Sequence, residues 1–197
     1  MRKIILSLML CVASLFGNNE LLLDSANAYQ MVLRANDGIP AANLVEKSSA
    51  IIIFPRVVKA GFILGGIVGK GTMLVKNGDS WHPKGVKIGG GSIGLQAGYE
   101  DSYLVLYILK SSIVKDIEDA KFTFQADASV SFGSIGANTA KISDISFSKD
   151  IYAYSNNSGY FAGAKLGGTV IGVDEKIKFD VNSYGFNSLI QALNLAN

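Results

Sequence analysis

SSAIIIFPRVVKAGFILGGIVGKG, residues 48–71, is the stretch whose reading decides the fold. An apolar run, Ala50–Phe54, stops at Pro55; a basic step from Arg56 to Lys59 follows, and glycines then recur among branched apolar residues. Glycine costs a helix about 1 kcal/mol per residue relative to alanine, which denies this segment the helix its hydrophobicity suggests. Strands accept glycine where they twist, bulge or approach another surface closely. The segment therefore reads as curled β-structure.

Outward from it, residues 20–36 predict a helix with Leu22, Ala26, Tyr29 and Leu33 on one face and Asp37-Gly38 as its stop. A shorter helix is expected after Pro40, over Ala41–Ser48. Downstream, Val57–Val68, Thr72–Lys76, Val86–Tyr99 and Tyr103–Leu109 read as strands, separated by turn chemistry at Asn77-Gly78-Asp79 and Glu100-Asp101. Of the 22 glycines, 12 fall between Gly61 and Gly98, too many for flat strands. Ser111–Ala120 reads as a helical turn, Phe122–Val173 as a second β-rich block with a turn at Asn156-Asn157-Ser158-Gly159, and Ser188–Ala196 as a closing helix. The fold class is α+β: a predominantly antiparallel, Gly-rich curled sheet or partial barrel with N-terminal and C-terminal helices packed on it.

Residues 1–17 read as a secretory signal of bacterial type, because Arg2 and Lys3 precede an apolar run, Ile4–Phe16, too short to span a bilayer. Residues 18–197 then form a single domain, exported to the periplasm, associated with the outer membrane, or secreted. Cys11 is the only cysteine; Leu10 stands where a lipoprotein signal places a small residue, which disfavours acylation, and no disulfide is available. The chain carries 18 Lys+Arg against 16 Asp+Glu, and loss of Arg2 and Lys3 leaves 16 against 16. A formally neutral domain excludes nucleic-acid binding driven by net charge.

The strings that suggest chemistry fail in context. Gly89, Gly91 and Gly94 match the dinucleotide fingerprint, but a β-like sequence follows where a helix must open. His82 is the only histidine and has no partner for a metal site or a triad. Nothing assembles a nucleophile, a base and an oxyanion site, so the sequence argues against an enzyme and implies no cofactor and no metal. What remains is a set of cations near apolar and aromatic residues: Arg56, Lys59, Lys70, Lys84 and Lys87. Such a set can engage lipid headgroups and acyl chains together; the competing reading is that these residues solubilise strand edges.

Five blocks in register resemble the SYLF domain family: AIIIFPRVVKAGFILGG (50–66), WHPKGVKIGGGSIGLQAGYE (81–100), DASVSFGSIG (127–136), YSNNSGYFAGAKLGGTVIGVDE (154–175) and NSYG (182–185). The resemblance covers roughly residues 36–190. It implies binding of a lipid or membrane surface without catalysis, since family members in yeast and animals precede an SH3 domain and bind phosphoinositides and actin. Their basic N-terminal helix has no counterpart here, where residues 20–36 carry only Arg34. The expectation is an envelope protein binding anionic phospholipid through its basic and Gly-rich segments, with actin an unlikely partner on grounds of compartment. Two alternatives stay open: a structural or protein-interaction module of the envelope with a protein partner and no lipid, and a small outer-membrane β-barrel.

Overall fold

The structure is a computed structural model that describes residues 2–36, 39–124, 127–133, 147–157 and 168–195, with 2–17, 61–64 and 92–98 as backbone only. Its elements run α1 (Arg2–Ala35), α2 (Ala41–Lys47), β1 (Ala50–Asn77), β2 (Ser80–Ile108), α3 (Ser111–Glu118), β3 (Val130–Phe132), β4 (Ile151–Ser155), β5 (Val170–Val173) and α4 (Tyr184–Asn194). The helix expected at 20–36 is the C-terminal half of α1, and among the described residues no helix is long and apolar enough to cross a membrane.

β1 and β2 form one long antiparallel ribbon closed by the turn at Gly78, whose φ of 58° suits glycine. The far edge of β2 pairs antiparallel with β4 at one end and with β5 near the other, and β3 joins β4 in parallel. The sheet is mostly antiparallel, and its described edges, β1 and β3, leave it curled without closure.

Curling is visible within β1 itself. Straight, its 28 residues would extend ~90 Å at about 3.3 Å each. Instead a Cβ on Gly71 would collide with the Ile53 carbonyl oxygen, and one on Gly69 would lie 2.8 Å from that of Arg56. Bulges between Phe54 and Val57 and between Gly61 and Ile63 bend the strand back on itself, and glycine permits the backbones to touch.

The two faces bury different cores. The concave face holds Ile52, Phe54, Ile67, Met73, Ile88, Leu106 and Ile171, closed by α3 through Ile113, Val114 and Ile117 and by Phe122 and Phe124. The other face presents Ile51, Ile53, Leu74, Val105, Tyr107 and Tyr154 to Leu22, Tyr29 and Val32 of α1 and to Leu189 and Leu193 of α4. In this second core the Tyr107 hydroxyl donates to that of Tyr29 at 3.1 Å, and the Tyr107 ring meets Tyr154 edge to face.

Several sequence expectations change. The expected turn at Glu100-Asp101 is strand, with Glu100 opposite Lys59 and Asp101 opposite Val58; basic residues on β1 offset the charges that made it look like a turn. The segment SWHPK, read as a loop, is the start of β2, with His82 exposed opposite Val75. Gly89, Gly91 and Gly94 lie within β2 and open no helix. α4 begins four residues earlier than read, at Tyr184, because the Ser183 hydroxyl caps it by accepting from the Phe186 N–H at 3.2 Å. The second half of the expected turn at 156–159 lies outside the described residues.

Candidate functional site

Strand alternation fixes what lies where on β1. Ile67, Gly69, Gly71 and Met73 face the concave core, so Val68, Lys70, Thr72 and Leu74 share the helix-packed face. Leu74 lies under the helices. Thr72 is buried beside Ser25 of α1: the Ser25 hydroxyl donates to the Leu21 carbonyl at 2.7 Å, so its oxygen takes the Thr72 proton across 3.1 Å. One step further the helix layer ends, and Lys70 and Val68 stand exposed.

The uncovered face forms the floor of a cleft of about 1170 Å3. Lys70 of β1 lies directly opposite Lys87 of β2, which lies opposite Gly172 of β5. The next row is Val68, Gly89 and Val170. One wall carries Leu21, Asp24 and Asn27 of α1; another carries Arg56, Val58, Asp101 and Tyr103.

Like charges directly opposite on an antiparallel ladder are destabilising, and neither Lys70 nor Lys87 has an ion pair among the described residues. Arg56, by contrast, is held. Its Nη2 donates to the Tyr99 hydroxyl and its Nε to Asp101 Oδ2, both at 2.7 Å, and these bonds, Tyr99 first, raise its pKa above the ordinary guanidinium value. The cleft thus joins cations to an apolar floor. No three potential metal ligands gather among the described residues.

Of the five cations singled out in the sequence, the fold brings Arg56, Lys70 and Lys87 together. Lys59 alternates with Val58 and so points away from the cleft, in register with Glu100. Lys84 reaches across to α3, its Nζ 2.7 Å from Glu118 Oε1. Sequence reasoning missed Val68 and Val170, which look like ordinary core positions, and Asp101, hidden in a supposed turn. No signal in the sequence marks where the helix layer stops.

The family model described as "Ysc84: Las17-binding protein actin regulator" matches residues 89–189, downstream of Arg56, Lys70 and Lys87. An SH3 domain-containing protein of Schizosaccharomyces pombe is 27% identical over 147 residues, 72% of this chain and 34% of that protein. LAS seventeen-binding protein 3 and Protein YSC84 of Saccharomyces cerevisiae are each 28% identical over 145 residues, 71% of this chain and 31% of theirs. The chain spans about a third of the length of these relatives. No solved structure matches. These names overturn the expectation that actin is an unlikely partner. That reading rested on the compartment inferred from residues 1–17, whereas the similarity resides in the domain itself, extends to proteins named for binding LAS seventeen, and matches a family model described as an actin regulator. Glycine-rich blocks, a curled α+β sheet and a family model spanning half the sequence converge, and the chain belongs to the Ysc84 family, the SYLF domains.

Proposed function

We propose that this domain is a membrane- and protein-interaction module whose cleft binds anionic phospholipid. The observation that carries the reading is the opposed pair Lys70 and Lys87. A phosphate between the two ammonium groups relieves their repulsion and adds charge-assisted hydrogen bonds, while Val68 and Val170 offer apolar contact beside them. Each lysine near an anionic surface contributes about 1 kcal/mol, weakened by salt. Arg56 joins on exchanging Asp101 for the headgroup. No catalysis is part of the proposal. The apolar leader of residues 4–16 supports export to the bacterial envelope as the place where this occurs.

Co-sedimentation with vesicles, in low and high salt, tests the reading. Binding that requires anionic lipid, falls with salt and is lost in the double variant Lys70→Glu/Lys87→Glu is the expected result; a folded protein that binds no vesicle of any composition overturns it. A second reading has its own support, in relatives named for binding LAS seventeen and in a family model described as an actin regulator. On that reading the domain docks a protein of the actin machinery, and co-sedimentation with actin filaments, without vesicles, measures it.

A further inference from the structure

We propose that the cleft takes a single anionic amphiphile with one acyl chain as a monomer, its phosphate on Lys70 and Lys87 and its chain over Gly89, between Val68 and Val170. This rests on the phospholipid reading above and specifies the ligand. Residues that anchor a protein on a bilayer must be the outermost ones, so that they enter the interface first. Val68 and Val170 are 61% and 42% exposed, large values for strand valines, yet they lie on the floor of the cleft beside α1. They are open to something that enters the cleft.

The floor has the width of one chain. Val68 and Val170 are separated by β2, so about 10 Å lies between their strands at the usual spacing. One polymethylene chain in contact at about 4 Å with a wall on each side occupies that gap, and two do not fit side by side. Gly89 forms the bottom. Among the described residues, a Cβ there would meet nothing nearer than the Ile67 carbonyl oxygen at 4.0 Å, so packing among them does not require the glycine. At about 1170 Å3 the cleft exceeds the roughly 300–1,000 Å3 usual for compact small ligands, leaving room for a headgroup and a chain. The lysine row adjoins the valine row, the order in which a phosphate and the start of its chain would lie.

Titration calorimetry of the full chain with dodecyl phosphate below its micellar concentration tests this, with inorganic phosphate and phosphatidylglycerol vesicles as parallel arms. The expected result is dodecyl phosphate binding at least tenfold tighter than inorganic phosphate. Gly89→Val, which fills the trough with a good strand former, loses that difference while unfolding at an unchanged or higher urea concentration. Lys70→Glu weakens both phosphate ligands tenfold or more, and Lys149→Glu, remote on the loop before β4, changes neither. Equal affinity for the two phosphates, or unchanged dodecyl phosphate binding in folded Gly89→Val, overturns the proposal. Vesicle binding without monomer binding overturns it too, but leaves the membrane reading standing; silence in all three arms removes both.

Discussion

Glycines close together in sequence have opposite meanings here. Gly71 is a contact: a methyl group there meets the Ile53 carbonyl and the Phe54 ring, so Gly71→Ala is expected to destabilise the fold by about 1–3 kcal/mol, read from the urea midpoint. Gly89 is a gap, and the same measurement on Gly89→Val is expected to show no loss. Glycine density alone announced a curled sheet. Which glycine is packed and which is open depends on residues brought near by the curl, and that was not legible in the sequence. The tyrosines of the helix-packed core were half legible in the same way: periodicity placed Tyr29 on the buried face of its helix, but not against another phenol. Burial pushes the Tyr29 hydroxyl up to about 12, its hydrogen bond to Tyr107 opposing only in part, and burial raises Tyr107 and Tyr154 as well. A folded-state value above the unfolded value of about 10 means that the unfolded chain releases the proton first. The Tyr29 contribution is therefore fully present below pH 10 and is lost as pH rises from 10 through about 12, on the order of 2–3 kcal/mol in total. Urea midpoints from pH 8 to 11.5 should fall most steeply above pH 10, and the Tyr29→Phe chain should fall less steeply over that interval; parallel curves would show that Tyr29 does not set the alkaline limit.

At the scale of elements, helices and the hairpin turn were readable because their signals are local: Pro40 before α2 and Asn77-Gly78-Asp79 in the turn. The long strands were not. Pro55 and Glu100-Asp101 are local stop signals, and cross-strand partners far away in sequence override them, so that apparent strand fragments fuse into β1 and β2. The candidate site shows the same division. Five cations were identifiable by type, but only register shows that Lys70 opposes Lys87 while Lys84 is engaged by Glu118. This opposition makes a prediction in which stability and binding move in opposite directions. Lys70→Glu replaces a repulsive cross-strand pair by an attractive one, which should raise stability by about 0.2–1 kcal/mol in low salt, with the gain shrinking as salt is added. The same substitution should weaken vesicle binding. A variant less stable than the parent would show that the two ammonium groups are not in repulsive contact in the free protein, and the electrostatic basis of the site would go with it.

For the whole molecule, the two ends of the chain are joined by the layer that also bounds the cleft. Asn18 Nδ2 donates to the Lys178 carbonyl at 2.7 Å, Asn19 Oδ1 accepts the Gly185 N–H at 2.8 Å, and Gly185 leaves α4 room to pack against Asn19 and Leu22. Just past the C-terminal end of α1, Asn36 Nδ2 donates to the Val32 and Ser155 carbonyls, each at 2.8 Å, and ties the helix to β4. The C-terminal half of α1 thus spans the sheet, tied at its middle and just past its C-terminus and buried through Leu22, Tyr29 and Val32 between them, and its edge over Thr72 is the wall of the site. Because both cores share β1 and β2, losing the helix layer should release the whole sheet rather than a part of it. Leu22→Ala tests that coupling. Leu22 is fully buried, and removing its side chain should cost about 2–5 kcal/mol. The single tryptophan, Trp81, packs at the far end of the same core beside Lys76, so its fluorescence reports on the β1–β2 turn while far-ultraviolet circular dichroism reports on the helices. The expected outcome is one transition, displaced equally by both probes in Leu22→Ala. A circular dichroism midpoint that falls while the Trp81 midpoint stays would mean that α1 detaches from a sheet able to stand alone; the wall of the cleft would then be a movable element, and ligand affinity would depend on its docking.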